Sequence, residues 1–157
     1  MTFIHTVDSR VPDNPSSVKD EGFFHKLANG DDLETGTMMN PDKGRIMAYE
    51  EIWRNTPLNE KFILLESVGT ENKTFVGIIG KYYQGIGTSK EGKVNAKRCE
   101  FNNGNWETKF SIGDESALPV FEYQDNWKEG AEIELEGRLW KIRDCGRGQP
   151  LNDDDED

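Results

Sequence analysis

Histidine is scarce in this chain. His5 and His25 are the only two, and neither stands at a metal-ligand spacing such as His-x-His or His-Glu-x-x-His. Asp8 follows His5 by three residues, and Ser9 is next to it. A serine, a histidine and an aspartate make an acyl-transfer centre when they converge. Residues this close along one extended segment do not converge, so no catalytic role is assigned to them. Glu50 and Glu51 are neighbours on an alternating run. On a strand they point to opposite faces and cannot work as a carboxylate pair. Met47, Tyr49, Glu51 and Trp53 share one of those faces. Turned inward, Glu51 between Tyr49 and Trp53 is a dry carboxyl suited to act as general base or ligand anchor. Turned outward, it is a solvated surface group. Tyr82 and Tyr83 lie between Lys81 and Gln84, and one tyrosine must point inward, to hydrogen-bond a ligand or to complete a filled core. Trp140 alternates with Leu139 and reads as a plug or core residue, or as a stacking platform. The candidate ligand-binding set is therefore Tyr49, Glu51, Trp53, Tyr82, Tyr83 and Trp140. No residue is assigned as catalytic or as a metal ligand, and no cofactor is implied. Gly77, Gly80, Gly85 and Gly87 match no phosphate-binding loop, because no strand-to-helix transition and no Lys-Thr pair follows them.

The elements that would position these residues read as short strands. Thr2 to Val7 is one by its β-branched and aromatic content. Asp8 to Asp32, with Pro12, Pro15, Gly22 and Gly30, is read as an irregular loop whose Phe23 and Phe24 pack onto the domain. Leu33 to Met39 is closed by the turn Asn40-Pro41-Asp42-Lys43-Gly44, and Arg45 to Arg54 alternates with period two. Thr56-Pro57-Leu58-Asn59 breaks it. Lys61 to Val68 is strongly apolar. After the Gly69 to Lys73 turn, Thr74 to Gln84 is read as one strand bent at Gly77 and Gly80, followed by a glycine-rich turn from Gly85 to Gly92. Val94 to Asn102 and Asn105 to Ile112 flank Asn103-Gly104, a strong hairpin signal, since both residues tolerate the positive φ of a type I′ turn. Leu118 to Tyr123 is a short strand or a turn. Ala131 to Leu135 and Arg138 to Arg143 flank a second hairpin dipeptide, Glu136-Gly137. Everything after Cys145 reads as tail. About eight or nine strands joined by tight turns make an antiparallel meander. Closure into an up-and-down β-barrel, which abolishes exposed edges, is favoured over a two-sheet sandwich.

The bulk properties agree with one folded domain, residues 1–146, and an acidic disordered tail, 147–157. The chain has 157 residues, enough to bury a core without staples. An apolar content of 34% with 31% charged residues leans toward disorder, but four Trp, four Tyr and eight Phe argue for a packed core. The net charge is -11, five of it from Asp153 to Asp157. An acidic surface repels phosphate backbones and anionic lipid heads, so nucleic acid and membrane surfaces are not expected partners. For Cys99 and Cys145, two reduced thiols are favoured over a single long-range bridge. No apolar run has membrane-spanning length and no signal-peptide core stands at the N-terminus. The expected location is the cytoplasm, and also the nucleus, where the sequon at Asn72 carries no glycan.

Three stretches together resemble a known family. They are Leu33-Glu34-Thr35-Gly36 through Asn40-Pro41, Gly44 and Tyr49-Glu50-Glu51-Ile52-Trp53; Gly77-Ile78-Ile79-Gly80-Lys81-Tyr82-Tyr83-Gln84-Gly85-Ile86; and Trp127-Lys128-Glu129-Gly130 with Gly137 and Leu139-Trp140-Lys141-Ile142. In this order they are similar to the fungal HRI family, named for interaction with a casein-kinase-type protein kinase. The segment His5 to Arg10 resembles the start of shorter members. The resemblance covers roughly residues 3 to 145. It implies a lipocalin-like barrel and a protein partner such as a protein kinase. It implies no catalytic residues. Some members carry a second, preceding barrel-like region, for which this chain is expected to lack room.

The function expected is therefore that of a non-catalytic binding or interaction protein. It would take a small hydrophobic ligand in the barrel, a protein partner, or both. The alternative is a cofactor-independent lyase or isomerase, which would need Glu51, His5 and Tyr82 or Tyr83 to converge in one cavity. An interior filled by residues such as Leu64, Ile78 and Phe110 would remove both ligand readings and leave the protein partner.

Overall fold

The computed structural model describes residues 2–8, 11, 13–40, 42–54, 59–69, 73–89 and 91–148. Ser9, the break at Thr56-Pro57-Leu58, the sequon Asn72 and the acidic end 149–157 lie outside the described residues. Among those described the fold is all-β and antiparallel, with helix limited to the three-residue 3-10 turns Pro15–Ser17 and Glu115–Ala117. The chain divides into two compact units, one formed by Met1–Thr6 and Asn14–Thr56, the other by Val7–Asp13 and Pro57–Asp157.

The first unit is a four-stranded sheet in the order β1 (Thr2–Ile4), β2 (Lys19–Lys26), β3 (Asp32–Asn40), β4 (Arg45–Trp53). The β3–β4 hairpin forms where the sequence places it. The Gly44 N–H donates to the Asn40 carbonyl at 2.9 Å and the Lys43 N–H to Asn40 Oδ1 at 3.0 Å. Gly44 takes the positive φ of 58° that closes this turn. Asn40 then pairs with Arg45, which fixes Gly36 opposite Tyr49 and Glu34 opposite Glu51. The expected irregular loop is corrected in part: Lys19–Lys26 is a strand, paired with β1 on one side and β3 on the other. It lacks alternation because Phe23 and Phe24 are adjacent and Gly22 carries no side chain, so its partners rather than its own pattern define it. Phe24 packs near Phe3, with ring centroids 6.4 Å apart, while Phe23, expected to pack onto the domain, is 76% exposed.

The second unit is a seven-stranded sheet. Its strands are β5 (Lys61–Ser67), β6 (Thr74–Ile79), β7 (Tyr82–Thr88), β8 (Val94–Asn102), β9 (Asn105–Ile112), β10 (Glu132–Leu135) and β11 (Arg138–Arg147). The order across the sheet is β10-β11-β5-β6-β7-β8-β9, so the described ladder has β10 and β9 as its two edges. The run expected as one bent strand from Thr74 to Gln84 is two strands. A two-residue turn, Gly80-Lys81, separates them, with Gly80 at φ 53° and Ile79 paired to Tyr82. A positive φ at the first turn residue alone is the type II′ form, which glycine serves best. The expected glycine-rich turn therefore begins late, since Gly85 to Thr88 belong to β7. Both hairpin dipeptides stand as read: Asn103 and Gly104 have φ 51° and 84°, Glu136 and Gly137 have φ 50° and 73°. The last strand runs beyond Cys145 to Arg147, pairing with β5 as far as Lys61.

One face of this sheet carries the core. Ile63 and Leu65 of β5, Val76 and Ile78 of β6, Tyr83 of β7, Cys99 of β8, and Trp140 and Ile142 of β11 are buried there. After β9 the chain lays Leu118 and Phe121 into the same core, with Trp127 and Tyr123 packed against it. Leu118 to Tyr123 is thus not a strand but an irregular segment that acts as an apolar cover. Of the three residues named for a filled interior, Ile78 is in this core, while Leu64 and Phe110 are on the opposite face, 40% and 51% exposed.

Candidate functional site

The six residues singled out in the sequence fall into three different places. Tyr83 and Trp140 are core residues. Tyr83 stacks edge-on against Trp106 and Phe121, at centroid distances of 6.2 and 6.5 Å. Burial, with minor contributions from Cys99 and Glu136, pushes its phenol far above the usual range, so it stays un-ionised. The Tyr83 hydroxyl and the Trp140 Nε1 have no hydrogen-bond partner among the described residues. Neither side chain lines an open interior. The inner face of the sheet is filled by the protein's own Leu118 and Phe121.

Tyr49, Glu51 and Trp53 lie in the first unit, on the face expected. The buried carboxylate there is Glu34, the cross-strand partner of Glu51. The Tyr49 hydroxyl donates to Glu34 Oε1 at 3.0 Å and the Trp53 indole N–H to Oε2 at 2.8 Å. Glu51 is exposed. Two glycines make this arrangement fit. A Cβ on Gly36 would stand 2.7 Å from the Tyr49 ring, and one on Gly22 would stand 2.1 Å from Glu34 Oε1. Sequence reasoning missed Glu34, although the signal was present: a hairpin closing at Asn40 and Arg45 places residue 34 opposite 51, between Tyr49 and Trp53 on neighbouring pairs. At the end of the same strands, Arg54 binds Asp31 through two bonds of 2.9 and 2.7 Å and holds its carboxyl below the usual range. Both oxygens of Glu34 are engaged within the sheet, so this cluster ties strands together rather than presenting a group to a ligand.

Tyr82 points the other way from Tyr83, to the outer face of the seven-stranded sheet, and there it has company. Phe62 and Leu64 of β5, Phe75 and Ile79 of β6 and Ile86 of β7 line a groove with it, of about 660 Å³. Register makes the groove legible. Leu64, Gly77 and Gln84 are successive cross-strand partners. Gly77 leaves the floor low between its larger neighbours: a Cβ there would touch only the Ile63 carbonyl at 3.4 Å and Leu64 Cδ1 at 3.7 Å. Asp144, the partner of Leu64, and Arg98, the partner of Gln84, close the two ends of that row. This face escaped the sequence reading, yet β5 and β6 are apolar at both parities. Phe62 and Leu64 alternate with Ile63 and Leu65, and Phe75 with Val76. A strand apolar on both sides has something to cover on both sides. Among the described residues the inner face is covered by Leu118 and Phe121, whereas on the outer face Leu64, Ile79, Tyr82 and Ile86 are 37–46% exposed.

Among the described residues no three His, Cys, Asp or Glu side chains gather to hold a metal ion. Cys99 and Cys145 are both free thiols. No helix among the described residues is long and apolar enough to cross a membrane.

Comparison with known proteins places this architecture. The model of the family described as Protein HRI1 matches residues 1–144. The crystal structure of the uncharacterized protein YLR301w from Saccharomyces cerevisiae superposes with a TM-score of 0.65 at 19% identity, over 82% of this chain and 62% of that one. At that identity the likeness is one of fold, and the chain spans about 62% of the length of its structural neighbour. No curated protein sequence matches it significantly. The family match covers nearly the whole described region, including the Glu34 cluster and the grooved sheet, and the chain belongs to the HRI1 family.

Proposed function

We propose that the chain is a non-catalytic, lipocalin-like interaction protein that engages a protein partner through the outer face of its seven-stranded sheet. The observation that carries this reading is the pairing of a filled inner face with an uncovered apolar outer one. Trp140, Tyr83, Leu118 and Phe121 fill the inner face of the sheet, while Phe62, Leu64, Ile79 and Tyr82 line the outer groove around Gly77. Contiguous exposed apolar surface of this kind marks interaction sites. In this reading the up-and-down order β5 to β9 serves as a platform rather than a container. A protein kinase, met in the cytoplasm or nucleus, is the partner class implied by the family resemblance. A lyase or isomerase is not favoured: Glu51 is exposed, Tyr83 is sealed in the core, and Tyr82 and Tyr83 point to opposite faces.

A second reading has one observation behind it. A groove of about 660 Å³ lies within the size range of small-ligand sites, so a small hydrophobic molecule fits the same surface. Native mass spectrometry of protein purified from its own host distinguishes the two, with Ile79→Glu as the control for the surface. A stoichiometric protein partner carried by the wild type and lost from Ile79→Glu supports the proposal. A co-purified small molecule lost from the variant supports the second reading. A partner retained equally by both overturns the assignment of this face.

A further inference from the structure

We infer that the outer face of the seven-stranded sheet is self-complementary and pairs with a second copy of this chain; this rests on the reading of that face as an interaction surface. The inference comes from the register of one transverse row. Asp144, Leu64, Gly77, Gln84 and Arg98 are successive cross-strand neighbours on β11, β5, β6, β7 and β8. Gly77 is the midpoint. Asp144 stands two strands to one side of it and Arg98 two strands to the other. At a strand spacing of about 4.8 Å the two charges lie roughly 19 Å apart.

A two-fold axis lying in the interface and parallel to β6 relates two such faces packed against each other. That operation reverses the row. Gly77 meets Gly77 of the other copy, Leu64 meets Gln84, and each Asp144 meets an Arg98. An interface of this kind must satisfy the same patch twice, and opposite charges equidistant from the axis do so. Neighbouring rows obey the same operation. Phe62 lies opposite Tyr82, Ile79 opposite Ile79 and Phe75 opposite Phe75, while Glu66, already paired with Lys73 and Arg143 of its own chain, lies opposite Ile86. Strands of the two sheets run nearly aligned, as in sandwich packing. The alternative axis, along the row, would set Asp144 on Asp144 and Arg98 on Arg98, which repulsion forbids.

The charges are free to serve this purpose. Neither Asp144 nor Arg98 has an ion pair or side-chain hydrogen bond among the described residues, whereas the neighbouring Arg143 is already committed to Glu66. The bulge after Ile142 is what makes this division: Arg143 is the extra residue, and Asp144 returns to the outer face opposite Leu64. A net charge of -11 opposes self-association at long range, so the dimer is expected to tighten with salt up to physiological strength. Association of two copies is expected to depend on protein concentration.

Sedimentation velocity on the full chain over a range of concentrations tests the inference. Wild type is expected to pass from monomer to dimer. Asp144→Arg and Arg98→Asp each place like charges across the axis twice, and each is expected to weaken dimerisation on the order of tenfold or more. The double variant Asp144→Arg/Arg98→Asp restores opposite charges and is expected to dimerise like wild type. Both side chains are exposed, and circular dichroism checks that each variant is folded. A monomer at every concentration overturns the inference. So does a dimer indifferent to the single reversals, or one that the double reversal fails to rescue. A monomer whose protein partner is still lost with Ile79→Glu overturns the second copy alone and leaves the outer face as a heterologous site.

Discussion

Glu34 and Glu51 are directly opposed across β3 and β4, yet Glu34 is 2% exposed and Glu51 lies in solvent. Two carboxylates set side by side repel, and the sheet resolves the conflict by giving one of them both available donors. Tyr49 and Trp53, on either side of Glu51 along β4, reach across to Glu34. Glu34→Gln puts an amide N–H₂ against one of those donors. It is expected to destabilise the protein by about 1–3 kcal/mol, the usual cost of a buried donor left without an acceptor. Tyr49→Phe loses the bond to Glu34 Oε1 and leaves the Trp53 bond in place, and is expected to cost less, about 1 kcal/mol. Urea unfolding of the two variants checks the order.

Two glycines on different sheets are expected to respond in opposite ways to the same substitution. Gly36→Ala drives its methyl to 2.7 Å from the Tyr49 ring, which itself is fixed by Glu34. It is expected to lose about 1–3 kcal/mol, as overpacking does. Gly77→Ala meets nothing closer than 3.4 Å and has no positive φ. It is expected to be neutral or stabilising by up to about 1 kcal/mol, through the reduced freedom of the unfolded chain. Thermal unfolding of both separates a glycine required by packing from one that shapes a surface.

Acid sensitivity is expected to centre on Glu66. The Lys73 ammonium, 2.8 Å away, lowers its pKa most; burial opposes this, and the Arg143 guanidinium adds to the lowering. A carboxyl with a depressed folded pKa contributes stability that is fully present above its ordinary value of 4.5 and is lost as pH falls through the folded value. Urea midpoints of the wild type are therefore expected to fall below pH 4.5. In Glu66→Gln that part of the slope is expected to flatten, with stability above pH 5 reduced. Identical slopes in the two proteins would contradict this.

Tyr83→Phe removes a buried hydroxyl that has no partner among the described residues and keeps the ring between Trp106 and Phe121. Its effect is expected to lie between neutral and about 1 kcal/mol of stabilisation, since nothing is orphaned by the change. A loss of 2 kcal/mol or more, an amount typical of a broken buried bond, would contradict this. Differential scanning calorimetry decides.

The parts of this fold legible in the sequence are those written in local rules. Asn103-Gly104 specifies its hairpin by backbone preference, Gly137 marks the second although Glu136 is held at an uncommon φ of 50°, and Arg45 to Arg54 declares its two faces by alternation. The illegible parts depend on partners. Lys19–Lys26 is a strand because β1 and β3 flank it, and Gly80-Lys81 turns the chain although aromatic and β-branched residues continue on both sides. The candidate site followed the same division. Tyr82 was singled out, but the grooved surface around it needs the register of five strands. That register includes a bulge, at Ile142/Asp144, which no local pattern announces.

Site-specific photo-crosslinking in the host most directly tests whether the outer sheet face is the binding surface. A photoreactive residue at position 79 stands on the rim of the groove, and one at the exposed Lys128 stands outside its lining. The expected result is discrete protein adducts from position 79, a second copy of the chain among them, and none in common from position 128. Equal adducts from the two positions, or none from position 79, would contradict the assignment of this face.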